Sequence, residues 1–234
     1  MGDKGRAHVS RGAVLPLLGA LLLLVLLQLG RWAFETLAFC AVPHTALANE
    51  LVRIASLALV GAAVLLVARG RGMQLSLLPR DAKGRVRLGW GYGAVIALWA
   101  GLLAATPFLT GQAGDAAVWP ALFEMALVTP LVEETLFRGL LWARLKAALG
   151  EGLPLLVATS LLFGLWHLGY ADAVARQLEV QAAGPAPVEE GLGAIMAAKA
   201  LFGAFMGFVL GALRLRYGCC LAPGLLHGIW NILA

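Results

Sequence analysis

The chain has 234 residues, of which 61% are apolar and only 13% charged, and its mean hydropathy is +0.85. Soluble domains carry about 45–50% apolar and about 25% charged residues, so too few polar side chains remain here to cover a water-exposed surface. The net charge of +5 does not point to nucleic acid, because the basic residues fall in short segments between apolar runs and form no stripe interleaved with aromatics.

The expected fold class is therefore all-α, a polytopic transmembrane helical bundle. A crossing needs about 20 apolar residues, and in chain order seven spans are predicted, at 13–30, 51–68, 89–109, 118–142, 153–170, 192–213 and 217–234. The first follows Lys4, Arg6 and Arg11 and resembles a signal peptide. With no small-x-small site after it and further spans beyond, it reads as an uncleaved anchor. The stretch 31–48, with Trp32, Phe34 and Pro43, is a candidate interfacial helix that would raise the helix count to eight. The segment 171–191 reads as an external connection.

Charge alternates between the connections. Arg69, Arg71, Arg80, Lys83, Arg85 and Arg87 crowd the second, Arg144 and Lys146 follow the fourth span, and Arg214 and Arg216 precede the seventh. The odd-numbered connections hold Glu35, Glu50, Asp115, Asp172, Glu179, Glu189 and Glu190 with little Lys or Arg. The positive-inside rule then puts the N-terminus in the cytoplasm. The three cysteines, Cys40, Cys219 and Cys220, form no CxxC and are odd in number. They read as small, buried free thiols, with no disulfide framework or zinc knuckle. One membrane domain is expected, with N-terminal helices over 1–117 and a motif-bearing core over 118–234.

Ionisable side chains inside a bilayer cost on the order of 2.5–3.5 kcal/mol each, so each one requires a reason. Those inside the predicted spans are Arg53, Glu124, Glu133, Glu134, Arg138, His167, Lys199 and His227, with the amide of Asn231 beside them. Arg53 and Lys199 lie near enough to span ends to snorkel, and Glu124 is read as a packing or interfacial residue rather than a catalytic one. His8 and His44 fall outside the spans. In the segment Thr129-Pro130-Leu131-Val132-Glu133-Glu134-Thr135-Leu136-Phe137-Arg138, Pro130 lacks an amide hydrogen and is expected to break or restart the helix. Both glutamates would then sit in a first turn, where the helix dipole favours negative charge. Glu134 and Arg138 stand at i and i+4 with the acid leading, the better order for an ion pair. Glu133 is turned about 100° away, free for another partner. His227 and Asn231, again at i and i+4, share one face of the last span. At 1.5 Å per residue, Glu133, His167 and His227 come out at about 13–21 Å from the cytoplasmic side, one broad mid-membrane layer.

These residues carry a resemblance. Glu133-Glu134-Thr135-Leu136-Phe137-Arg138, Phe163-Gly164-Leu165-Trp166-His167 and His227-Gly228-Ile229-Trp230-Asn231 resemble the three motifs of the CPBP family, which comprises CAAX prenyl endopeptidases and bacteriocin-processing or Abi-type proteins. The resemblance covers roughly residue 118 to the end. It implies an intramembrane endopeptidase in which Glu133, assisted by His167, activates water, while His227 and Asn231 donate to the oxyanion. Glu134, Arg138 and Phe163 would be structural support. The family often has eight helices.

The resemblance implies a metal-free glutamate enzyme with no cofactor. Zinc is the alternative, with Glu133, His167 and His227 as a His2Glu ligand set, although no HExxH is present. Two other function classes stand beside the peptidase. One is a non-catalytic immunity or scaffold protein of the same fold. The other is a transporter, which would call for broken helices in two corresponding halves, and no such repeat is found. The expected partners are the lipid bilayer and a membrane-anchored protein or peptide, cut at a C-terminal sorting tag (as in the myxosortase-type branch), a leader peptide or a CAAX-like terminus. The Ala/Leu/Gly-rich, short-looped character suggests a bacterial plasma membrane.

Overall fold

A computed structural model describes residues 11–43, 45–181 and 188–233. Lys4, Arg6, His8 and His44 lie outside the described residues, as do the side chains of Arg11, Glu179, Glu189 and Glu190. The described chain is all-helical, with eight helical runs: α1 (Val14–Ala41), α2 (Ala46–Gly70), α3 (Trp90–Leu109), α4 (118–149), α5 (Leu153–Leu168), α6 (Ala171–Gln181), α7 (Val188–Tyr217) and α8 (Leu221–Leu233). Among the described residues four stretches are long and apolar enough to cross a membrane: Val14–Ala41, Ala46–Gly70, Trp90–Leu109 and Gly191–Tyr217. Large apolar side chains such as Leu15, Leu22, Leu201 and Phe205 point outward, which only a lipid surround makes favourable.

Three boundaries differ from the sequence expectation. The first span does not end at residue 30, and 31–48 holds no separate interfacial helix; α1 runs on to Ala41. An apolar count stops at Arg31, but Arg31 and Glu35, one turn apart, neutralise each other at 2.7 Å and are both buried. The segment 171–191 is not all loop, because α6 occupies Ala171–Gln181. Cys219 and Cys220 are buried, as expected, whereas Cys40 is exposed near the end of α1.

The axis of the bundle is α4. Every residue from Val132 to Trp142 is buried, and α4 packs against α2, α3, α5 and α8. Pro130 neither breaks nor restarts it. Instead the helix widens into π-type turns at Glu124–Val128 and Thr135–Leu141, on either side of Thr129–Glu134. A wide turn passes over a carbonyl, and each such carbonyl needs a new donor. The Thr129 amide reaches back five residues to Glu124, leaving the Met125 carbonyl to the side-chain amide of Asn231 at 2.8 Å. Pro130 cannot donate to the Ala126 carbonyl, and Trp99 Nε1 does so at 3.2 Å. In the second wide turn the Trp142 amide reaches Phe137, and the Arg138 carbonyl accepts from Arg214 Nε at 2.9 Å. Three neighbouring helices are thus tied to α4 through carbonyls that a regular helix would have used itself.

Among the described residues the most extensive helix contact is α5 with α7. Small residues permit the approach. A Cβ on Gly164 would lie 2.6 Å from the Ala200 carbonyl oxygen and 2.9 Å from Ala204 Cβ, and one on Gly207 would lie 2.9 Å from Ser160 Cα. This is the small-residue packing expected of helices in lipid, where close backbone contact replaces the hydrophobic drive.

Candidate active site

The second α4 segment, Thr129–Glu134, turns its two glutamates toward different neighbours. Both are buried, at 1% and 2% exposure. Glu134 Oε1 accepts from Arg138 Nη1 at 3.1 Å and contacts His227 Nδ1, also at 3.1 Å. The pair at i and i+4 anticipated from the spacing is therefore present, and it also holds the ring of His227 on α8. Arg138, wholly buried, donates from Nη2 to the Gly207 carbonyl on α7 at 2.8 Å. Its guanidinium lies 4.5 Å from the ring centroid of Phe163. Phe163 in turn stands edge-on to both histidines, 4.8 Å from His167 and 5.8 Å from His227 between centroids.

Glu133 takes a different set of partners. Its Oε1 accepts from Trp166 Nε1 at 2.8 Å and from the Tyr170 hydroxyl at 2.9 Å. Its Oε2 is buried and has no hydrogen-bond partner among the described residues; it lies 3.8 Å from His227 Nε2. Because Glu134 holds Nδ1, Nε2 is the His227 nitrogen turned to Glu133. His167 Nδ1 pairs with the Phe163 carbonyl at 2.8 Å, within its own helix. Gly203 on α7 leaves room for that ring, since a Cβ there would come within 2.7 Å of Nδ1.

A cavity of about 560 Å³ brings these groups together, with Glu133, His167, Tyr170, Lys199, His227 and Asn231 among its lining residues. All four residues that the motifs mark as catalytic border the same space. Asn231 spends one amide hydrogen on Met125 and has a second available. Among the described residues no three His, Cys, Asp or Glu side chains converge as a metal-ligand set, and His167 shares no hydrogen bond with Glu133.

Sequence reasoning gave no role to Trp166 or Tyr170; their i, i+4 spacing around His167 was the available signal. It also missed the polar wall opposite. Arg31 bonds Asp172 at 2.7 Å as well as Glu35, and Glu35 accepts from Ser56 at 2.8 Å and from Arg176 at 2.8 Å. This network staples α1 to α2 and α6. Arg53 does not simply snorkel. Its Nη2 pairs with Glu124 at 3.0 Å, and Thr129 Oγ1 donates to the other oxygen of Glu124 at 2.5 Å. Glu124 therefore closes α4 onto α2 beside the cavity, a packing role of the kind expected of it.

The bundle and its buried polar centre define a polytopic membrane protein whose three motifs sit on helices α4, α5 and α8 around one cavity. Residues 115–233, just over half of the chain, match the family described as type II CAAX prenyl endopeptidase Rce1-like, and the chain belongs to that family of membrane-embedded proteases. No curated protein and no solved structure matches it.

Proposed function

We propose that the chain is an intramembrane endopeptidase that hydrolyses a peptide bond beside a membrane-anchored segment, using water activated by Glu133. The observation that carries this reading is the Glu133 carboxylate. It is almost wholly buried, one oxygen is held by two donors, and the other is left unpartnered at a cavity shared with His167, His227 and Asn231. Glu134 Oε2 is likewise without a hydrogen-bond partner among the described residues, but Glu134 does not line this cavity, whereas Glu133 does.

In the reaction, Glu133 takes a proton as the water oxygen bonds to the scissile carbonyl carbon. His167 borders the same space and assists in placing that water. The carbonyl oxygen becomes an oxyanion facing His227 and Asn231. For this role His227 is doubly protonated, donating from Nδ1 to Glu134 and from Nε2 to the oxyanion; Asn231 uses its second amide hydrogen. Each such donor is worth about 2.7–4 kcal/mol in the transition state. The tetrahedral intermediate collapses, the C–N bond breaks, and Glu133 returns its proton to the departing nitrogen. Glu134 and Arg138 fix the His227 ring. No step requires a metal.

The substrate class that suits a cavity within a helical bundle is a peptide tethered to the bilayer near its cleavage site: a C-terminal sorting tag, a leader peptide or a CAAX-like terminus. The test compares wild type with Glu133→Gln on a panel of membrane-anchored C-terminal peptides in liposomes, read by mass spectrometry, with and without prior chelation. Cleavage by wild type, loss in Glu133→Gln with the fold intact, and indifference to chelation are expected. Normal cleavage by the variant overturns the role of Glu133. Loss on chelation that zinc restores overturns the metal-free mechanism. Absence of cleavage across the panel favours the immunity or scaffold alternative.

A further inference from the structure

The two oxygens of Glu133 are in unlike environments. Oε1 accepts two hydrogen bonds, from Trp166 Nε1 at 2.8 Å and Tyr170 Oη at 2.9 Å. The two donors also touch each other, Trp166 Nε1 to Tyr170 Oη at 3.1 Å, so they form a closed three-membered cluster on one side of the carboxylate. Trp166 is 1% exposed, and its ring stands edge-on to Tyr170 and to Phe137 of α4, with centroids 6.0 Å away in each case. Gln28 of α1 donates to the Trp166 carbonyl at 3.0 Å. Arg31 lies 5.0 Å from the Tyr170 ring centroid and donates to the Gly169 carbonyl at 2.7 Å. The backbone at the α5 end is thereby pinned by α1, while burial and the edge-on ring contacts hold the Trp166 side chain. Oε2, on the other side, is buried, unpartnered and turned toward His227 Nε2.

We infer that Trp166 and Tyr170 are positioning residues that reserve Glu133 Oε1, so that Oε2 alone takes the proton from the attacking water. The inference rests on the peptidase reading for its kinetic consequence, although the geometry it invokes stands without it. A carboxylate with both oxygens free rotates about its terminal torsion, which is broad and roughly two-fold, and spreads its basicity over several orientations. Two fixed donors on one oxygen select a single orientation and leave the lone pairs of the other aimed into the cavity. The proton moves from water to Oε2 while the water oxygen bonds to the carbonyl carbon. The same oxygen later gives that proton to the leaving nitrogen as the C–N bond breaks. Neither Trp166 nor Tyr170 gains or loses a proton.

The test uses the full chain in detergent or liposomes with Tyr170→Phe, Trp166→Phe and 3-fluorotyrosine introduced at position 170. Each Phe variant is expected to lower kcat by roughly 10- to 100-fold, the loss of one charge-assisted hydrogen bond, with KM within about twofold. The fluorotyrosine protein, which keeps its O–H, retains kcat. Unchanged kcat in both Phe variants, or a rise in KM alone, overturns the inference. A second readout needs no substrate: the carboxyl stretch assigned to Glu133 by its absence in Glu133→Gln should shift in Tyr170→Phe in an infrared difference spectrum. If that band is unmoved, the clamp does not exist, whatever the enzyme cleaves. If the band moves but wild type and Glu133→Gln behave alike on every peptide, the clamp stands and the peptidase reading fails.

Discussion

Replacing Arg138 by methionine removes the cation from the centre of the bundle while keeping an unbranched chain of similar reach. Arg138 is fully buried, and the change deletes its bond to Glu134 at 3.1 Å, its bond to the Gly207 carbonyl at 2.8 Å and its contact with the Phe163 ring at 4.5 Å. Glu134 is left at 2% exposure with His227 Nδ1 as its remaining partner. Removing one member of a buried pair strands the other charge and costs about 3–5 kcal/mol. Glu134→Gln alone strands Arg138 in the same way, although the Gly207 carbonyl still receives one of its N–H groups. The double variant has no stranded charge, and replacing a buried pair by neutral groups is often close to neutral. The sum of the two single losses should therefore exceed the double loss by at least about 3 kcal/mol, the top of the range seen for coupled neighbours. The assay is reversible unfolding in mixed micelles, titrated with sodium dodecyl sulfate and followed by tryptophan fluorescence. Effects that add to within about 0.5 kcal/mol would show that Glu134 and Arg138 do not form one unit, and the account of how His227 is held would fall with them.

Two further predictions concern packing and thiol access. Gly164→Ala drives a methyl to 2.6 Å from the Ala200 carbonyl oxygen and should cost about 1–3 kcal/mol by overpacking. Gly224→Ala, whose nearest atom is Glu134 Cγ at 3.9 Å, should stay within about 0.5 kcal/mol of wild type; equal losses in the same unfolding assay refute the close α5–α7 approach. A maleimide should label Cys40, which is exposed, and spare Cys219 and Cys220 until the protein unfolds. Rapid modification of all three in the folded state, counted by intact mass, contradicts that packing.

Much of the architecture was legible because a bilayer imposes one demand on every crossing, a long apolar run with its backbone bonds made internally. The helical class and most of the spans follow from that demand. The exceptions have a common cause: where charges cancel within a turn, as at Arg31 with Glu35 or Asp172 with Arg176, a count of apolar residues mistakes a helix for a loop. Pro130 was misread for a related reason. A missing amide hydrogen signals that a helix must adjust, but whether it breaks or widens depends on whether a neighbour can supply the lost donor, here Trp99 from α3.

Spacing along single helices marked Glu134 with Arg138 and His227 with Asn231 as pairs, because residues four apart share a face whatever surrounds them. The sequence by itself determined the bundle, the polar residues that needed explanation and the three motif-bearing helices. Only the tertiary structure decided which of those residues meet. Glu134 touches His227 across 93 positions of chain and Glu133 touches Trp166 across 33, while Asn231 turns to a backbone carbonyl that exists as a free acceptor only because α4 is locally wide. Pairings between helices depend on rotation, depth and the turn count of each partner, and a shift of one residue on α4 would put one glutamate in the other's place and turn the second away from both sets of partners.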